Sequence, residues 1–263
     1  MSPLKRVLCP TLPKPGRSVE LPEAEARHVI QVLRLKSGQK IEALDGQGHA
    51  AEVTLNFRQD RAFIEWVEPV QDSAEESASA PAGHSSQIAP LVLEQAVLKG
   101  EAMEWVVEKC VELGVKSLQP VLTAHTVVQM DRKGPQAFQE RWQRIADQAL
   151  KQCGRLERMK VELPIDLETL LVETADSGGF FCDESERADA PHFMTLLEGH
   201  SEPVRILIGP EGGWSESERQ SIVRSKRKSA ALGPLVLRAE TAAIFAVSLA
   251  VARWQTGLKT AHY

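Results

Sequence analysis

Two glycine-bearing stretches near the end of the chain decide how the rest is read. They are Ile208-Gly209-Pro210-Glu211-Gly212-Gly213-Trp214 and Leu232-Gly233-Pro234-Leu235-Val236-Leu237-Arg238-Ala239-Glu240-Thr241-Ala242. Each follows a short apolar run and precedes a helical pattern, so each reads as the loop at the carboxyl end of a strand. That is where open α/β sheets build their ligand crevices. With one strand and one helix between them, the two loops are expected to share a pocket, and the second delivers Arg238 and Glu240 into it. Read more plainly, the first is a tight strand-to-helix turn, Arg238 a surface ion pair, and Glu240 or Thr241 a cap for the helix that follows.

Working outward, Ser215 and Glu218 have capping-box spacing and predict a helix directly after the first loop. Upstream, Met103, Val106, Val107, Cys110 and Val111 recur at helical spacing, with Gly114 as the stop. Phe138, Trp142, Ile145 and Ala149 form the apolar stripe of a longer helix ending at Gly154. Apolar runs at 91–98, 118–122, 180–182, 204–208 and 229–232 supply strands. Strands alternating with helices over residues 87–263 predict an α/β domain with a mostly parallel sheet. The helix at 242–252 is apolar nearly all round, which makes it buried or part of an interface.

Residues 71–86, QDSAEESASAPAGHSS, contain no large apolar residue and read as a flexible linker. Before them, residues 40–44 and 51–55 flank Asp45-Gly46, the signature of a β-hairpin. Residues 62–67 add a strand and 23–33 a short helix. Residues 1–70 are therefore expected to form a small β-barrel.

The chain has 263 residues, 43% apolar and 25% charged, as in ordinary globular proteins with room for two domains. No apolar run approaches the ~20 residues of a membrane span, and no secretory h-region opens the chain. Cys9, Cys110, Cys153 and Cys182 have no CxxC or CxxH pairing, so reduced thiols, no metal and a cytoplasmic location are expected. A net charge of −5 argues against generic nucleic-acid binding, although the first seventy residues are nearly balanced, with ten Lys/Arg against nine Asp/Glu. The groups Arg155/Arg158/Lys160 and Arg224/Lys226/Arg227/Lys228 read first as solvated faces and second as phosphate contacts. The first glycine loop is neither a Walker loop nor GxGxxG, which argues against an NTPase.

An ordered set of short motifs runs through most of the chain. It begins with His28…Val32-Leu33-Arg34 and Asp45-Gly46. Lys99-Gly100-Glu101-Ala102-Met103-Glu104 and Lys109-Cys110-Val111-Glu112-Leu113-Gly114-Val115 follow. Arg141-Trp142, Ile145-Ala146, Gln152-Cys153-Gly154-Arg155 and the two glycine loops complete it. This set resembles the RsmE family of 16S ribosomal RNA uridine-N3 methyltransferases, in the SPOUT (α/β-knot) superfamily.

The resemblance implies a PUA-like RNA-binding domain over 1–70 and a SPOUT domain over 87–263 whose last segment threads a trefoil knot. It implies S-adenosyl-L-methionine bound by the loop after Phe181 and by both glycine loops. The implied cofactor contacts are Phe181, Ile208, Gly209, Glu211, Gly212, Leu232, Gly233, Leu237 and Thr241. Arg34 and Arg155 would contact substrate RNA, the 16S rRNA of an assembled 30S subunit, and helix 242–252 would build a homodimer. No membrane and no metal are implied. Arg238 would stabilise charge on the uracil oxygens. Glu240 can orient Arg238, accept the N3 proton or hold the substrate, and the sequence does not choose among these. Two positions depart from the family pattern: Leu235 stands where Arg is common, and His125 where Arg is frequent. The rival readings are a non-catalytic RNA-binding or ribosome-assembly factor, and a related enzyme acting on another base.

Overall fold

A computed structural model describes residues 4–59, 61–67, 88–128, 130, 134–184, 190–198, 200 and 203–260, with the side chains of 258–260 left aside. The linker segment 71–86 lies outside the described residues. Contacts group the chain into two bodies. One comprises the first 87 residues together with Leu150–Arg158, and the other comprises Ile88–Ala149 and the chain from Met159 onward.

In the first body, strands β1 (Arg6–Leu8), β2 (Ser18–Glu20), β3 (Gln39–Leu44), β4 (Ala50–Arg58) and β5 (Arg61–Trp66) form a sheet of order β1-β3-β4-β5-β2. Pairing is antiparallel except between β1 and β3. Alternation places Ile41 and Ala43, then Val53 and Leu55, then Ala62 and Ile64 on one face, where they meet Val7 and Val29 in a single core. The expected helix splits in two: α1 (Glu23–Arg27) continues into a wider π-turn, His28–Val32.

The hairpin between β3 and β4 is longer than a bare Asp-Gly turn. The Asp45 carboxylate accepts from the amides of Gln47 at 2.6 Å and His49 at 3.0 Å, and its second oxygen meets His49 Nδ1 at 2.7 Å. The loop is also pinned to the returning segment: Arg158 N–H donates to the Gly46 carbonyl and Gly48 N–H to that of Leu156. Burial pushes the Asp45 carboxyl up, but the amides and the His49 ring outweigh it and hold the group below its ordinary value. Asp45→Ala is expected to cost about 1–2 kcal/mol in urea unfolding at pH 7. Because the folded-state pKa is depressed, this contribution is present above the ordinary carboxylate range and lost as pH falls through the folded value. The gap between variant and wild type should therefore narrow as pH falls below the ordinary carboxylate range.

The second body holds β6 (Ala89–Ala96), β7 (Val115–Leu122), β8 (Lys160–Val161), β9 (Ile165–Asp166), β10 (Phe180–Cys182), β11 (Val204–Ile208) and β12 (Lys228–Ser229). Their order is β12-β10-β11-β6-β7-β8, with β9 also on β7, and every pairing is parallel. Strands β8 and β9 carry too little apolar sequence to be expected. The helices are α2 (Glu101–Glu112), α3 (Gly134–Cys153), α4 (Leu167–Glu173), α5 (Phe193–Leu197), α6 (Glu216–Arg224) and α7 (Ala239–Thr260). The five residues of the α2 stripe are all buried. The α6 capping box forms as expected, with Ser215 and Glu218 bonding reciprocally. Helix α7 packs on α2 and α5 and across β6 and β11, and buries Ala243, Ala246, Val247, Ala250 and Val251. No helix among the described residues is long and apolar enough to cross a membrane.

The apolar run of β6 hides a charge. Glu94 is fully buried and accepts from Arg205 Nε at 2.8 Å and from both Arg227 Nη atoms, while Arg227 also donates to Thr174 Oγ1 at 2.7 Å. Arg227, read from the sequence as part of a basic run, is only 5% exposed. Its charge neutralises a carboxylate inside the body.

Candidate functional site

Strands β12, β10 and β11 lie side by side and parallel, so the loops leaving their carboxyl ends converge. Between these loops lies a cavity of about 540 Å³, within the usual range for small-molecule sites. Its walls are Cys182, Asp183 and Glu184 at the end of β10, Ile208–Glu211 and Gly213 at the end of β11, and Ala230, Leu232, Gly233, residues 235–240 and Ala242 after β12, with Ala102 of α2. The two glycine loops thus share one pocket, as their spacing suggested.

Of the residues singled out from sequence, the cavity brings together Ile208, Gly209, Glu211, Leu232, Gly233, Leu237, Arg238 and Glu240. Three others fall outside its lining. Phe181 is fully buried in a core cluster with Leu207 and Trp214. Thr241 is exposed on the first turn of α7. Gly212 faces away, since a Cβ built on it would lie 3.1 Å from the Cβ of His125. Gly209 is required by packing, because a Cβ there would sit 3.0 Å from the Trp214 ring. Glu211 turns its carboxylate to the backbone and accepts from Lys99 N–H at 3.0 Å.

Helix α7 starts earlier than the capping reading implied, with Ala242 N–H donating to the Arg238 carbonyl. Glu240 therefore sits inside the first turn, where its charge suits the helix dipole but its side chain caps nothing. Among the described residues, neither the Arg238 nor the Glu240 side chain has a hydrogen bond or ion pair. Both face the cavity uncommitted.

Sequence reading did not single out Cys182, Asp183, Glu184 or Ala102. The signal for the first three was their place directly after strand 180–182. Asp183 is buried and paired with Arg219 at 3.2 Å. Burial, and then the Asp183 charge, push the Cys182 thiol up to about 12. It is therefore a neutral cavity wall and not a nucleophile. Leu235 and Val236, 75% and 62% exposed, form an apolar rim.

The two RNA-contact expectations part company. Arg34 is exposed on the first body and takes a positive φ of 50°. Arg155 is 7% exposed, and its Nε donates to the Glu157 carbonyl, so it braces its own segment.

A parallel sheet with such a cavity at three adjacent strand ends is a general architecture for binding a small molecule. The chain belongs to the RNA methyltransferase family: the model described as an RNA methyltransferase domain matches residues 84–251, and one described as an RNA methyltransferase PUA domain matches residues 21–61. Among its relatives, the ribosomal RNA small subunit methyltransferase E of Bacillus subtilis is 27% identical over 233 residues, spanning 85% of this chain and 86% of the relative. That of Synechocystis is 29% identical, spanning 88% and 72%. A Legionella pneumophila methyltransferase solved in complex with the bound cofactor SAM superposes with a TM-score of 0.78 at 27% identity, covering 95% of this chain and 97% of that one. The ribosomal RNA small subunit methyltransferase E of Neisseria gonorrhoeae, bound to S-adenosyl methionine, gives 0.75 at 27% identity, covering 93% and 96%.

Proposed function

We propose that this protein transfers the methyl group of S-adenosylmethionine to N3 of one uridine in small-subunit ribosomal RNA, acting on the assembled 30S subunit as a homodimer. The cofactor and the rRNA class are supported by the relatives just described, and the N3 chemistry by the cavity. The observation that carries the reading is that Arg238 and Glu240 line the cavity with no side-chain partner among the described residues.

The residues present fit the cofactor. Gly209 lets its loop pack against Trp214, Gly233 adds no side chain to the open space beside it, Ile208, Leu232 and Leu237 offer apolar surface, and backbone groups of both loops remain for polar contacts. When bound, the cofactor supplies a sulfonium methyl as the electrophile. The chain must position the uracil and manage the N3 proton, which neutral water leaves in place. Arg238 brings a fixed positive charge and a planar fork of donors to the uracil oxygens, favouring the anionic base. Glu240 accepts the N3 proton, orients Arg238 or holds the substrate.

Incubation with 30S subunits and labelled cofactor, followed by mass spectrometry of 16S rRNA fragments, tests this. One uridine methylated on its pairing edge is expected, and label on another base or on ribose would move the chemistry. The dimer has its own test. Phe245 on α7 and Trp105 on α2, 40% and 42% exposed, are large apolar groups on two helices that pack together. Sedimentation should give twice the 29.0 kDa chain mass, and Phe245→Asp should shift the species to one chain, whereas a wild-type monomer would remove the dimer.

A further inference from the structure

Outside the cavity, the loop after β7 presses on the back of the first glycine loop. Thr123–Thr126 is a self-closed turn: Thr126 N–H donates to the Thr123 carbonyl, and Thr123 N–H to Thr126 Oγ1, both at 3.0 Å. From this turn Ala124 N–H donates to Glu218 Oε1 at 2.7 Å, while the other oxygen of Glu218 caps Ser215. His125 Nδ1 lies 2.9 Å from the Gly213 carbonyl oxygen. A carbonyl can only accept, so Nδ1 carries the proton. The ring lies flush against Gly212. The same carbonyl-bearing residue has a φ of 69° and donates its own N–H to Pro210 at 3.0 Å, closing the turn whose inner side lines the cavity.

The loop thus has a different tether on each side. Glu211 reaches Lys99, Trp214 Nε1 donates to the Cys182 carbonyl at 3.3 Å, and His125 holds the Gly213–Trp214 peptide from behind through the Gly213 carbonyl. Of these, His125 is the tether whose side chain neither lines the cavity nor belongs to the loop it holds.

We infer that His125 is a positioning residue for the methyl-donor site, keeping the Pro210–Gly213 turn in its cofactor-ready shape through the Gly213 carbonyl. This rests on the proposed function for the identity of the donor, but the bracing itself does not. A loop free to leave that shape binds with an affinity reduced in proportion to the fraction of time it keeps that shape.

The test compares His125→Ala with His125→Asn, whose carboxamide nitrogen occupies nearly the place of Nδ1 and can donate to the same carbonyl. Titration calorimetry with S-adenosylmethionine should show about 5–10-fold weaker binding for the alanine variant. Its KM for cofactor should rise alike, kcat at saturating cofactor should change little, and its melting temperature should hold. The asparagine variant should recover most of the loss. Hydrogen exchange of the cofactor-free proteins gives a readout independent of activity: the Gly213 amide should exchange faster in His125→Ala and be slowed again in His125→Asn. Unchanged exchange and affinity in the alanine variant, or no recovery with asparagine, overturns the inference. Wild-type protein that binds no S-adenosylmethionine would instead overturn the proposed function, and exchange at Gly213 would still decide the brace.

Discussion

Glu94→Ala is expected to cost roughly 3–5 kcal/mol of folding stability, because it strands a buried guanidinium without its counter-charge. Arg227 is 5% exposed and its two Nη atoms bond the lost carboxylate, while Arg205 loses the same partner. Among the described residues, Thr174 Oγ1 alone remains for the Arg227 side chain. The expected signature in urea or thermal unfolding is a large loss of stability that is partly recovered when Arg227 is changed to Met in the same chain. A loss below about 1 kcal/mol would mean that water reaches the site and the cluster is not sealed.

Glu240→Gln is expected to do the opposite: lower turnover by ~10²-fold or more while leaving the fold nearly as stable, if the carboxylate takes part in the N3 chemistry. The structure sharpens this contrast, since the Glu240 side chain makes no cap and only its favourable place on the helix dipole is lost, about 0.3–1 kcal/mol. Arg238→Lys retains charge but not the planar fork and should impair turnover as well. Turnover measured across pH separates the roles of Glu240. Loss of a proton acceptor is partly rescued at high pH, where N3 ionises unaided, whereas loss of an orienting group is not. Wild-type turnover in both variants would place the chemistry elsewhere in the cavity.

The local signals in the chain were readable because their causes are local. The capping box at Ser215 and Glu218, the α2 stripe from Met103 to Val111 and the strand at 204–208 are set by neighbours within a turn or two. So is the placement of two loops at strand ends, which alone located the cavity. The fate of the charges was not readable. Arg227 and Arg155 look like members of solvated basic runs, yet both are buried, Arg227 by a carboxylate 133 residues away. Glu94 sits in an apolar run with nothing nearby to announce its partners. The direction of Gly212 was hidden for a similar reason: whether a glycine opens toward a ligand or toward His125 depends on a loop from another strand. The π-turn at His28–Val32 lay inside a pattern that reads as ordinary helix.

Synthesis of this chain on the ribosome has an ordering problem, set by the membership of Leu150–Arg158 in the first body. The hairpin loop at Gly46 and Gly48 finds its backbone partners only at Leu156 and Arg158, and Lys151 pairs with Glu25 at 2.5 Å. The five strands through Trp66 are translated long before those residues exist. At ordinary elongation rates of roughly 5–20 residues per second, the wait lasts on the order of 5–20 s. During that interval the N-terminal sheet must persist without the bonds that Gly46, Gly48, Glu25 and Arg6 make to residues 151–158, while Arg6 keeps Glu42 and Glu25 keeps the Leu8 amide. The nascent N-terminal body is therefore a partly finished intermediate that matures only when its own late segment, Leu150–Arg158, has emerged.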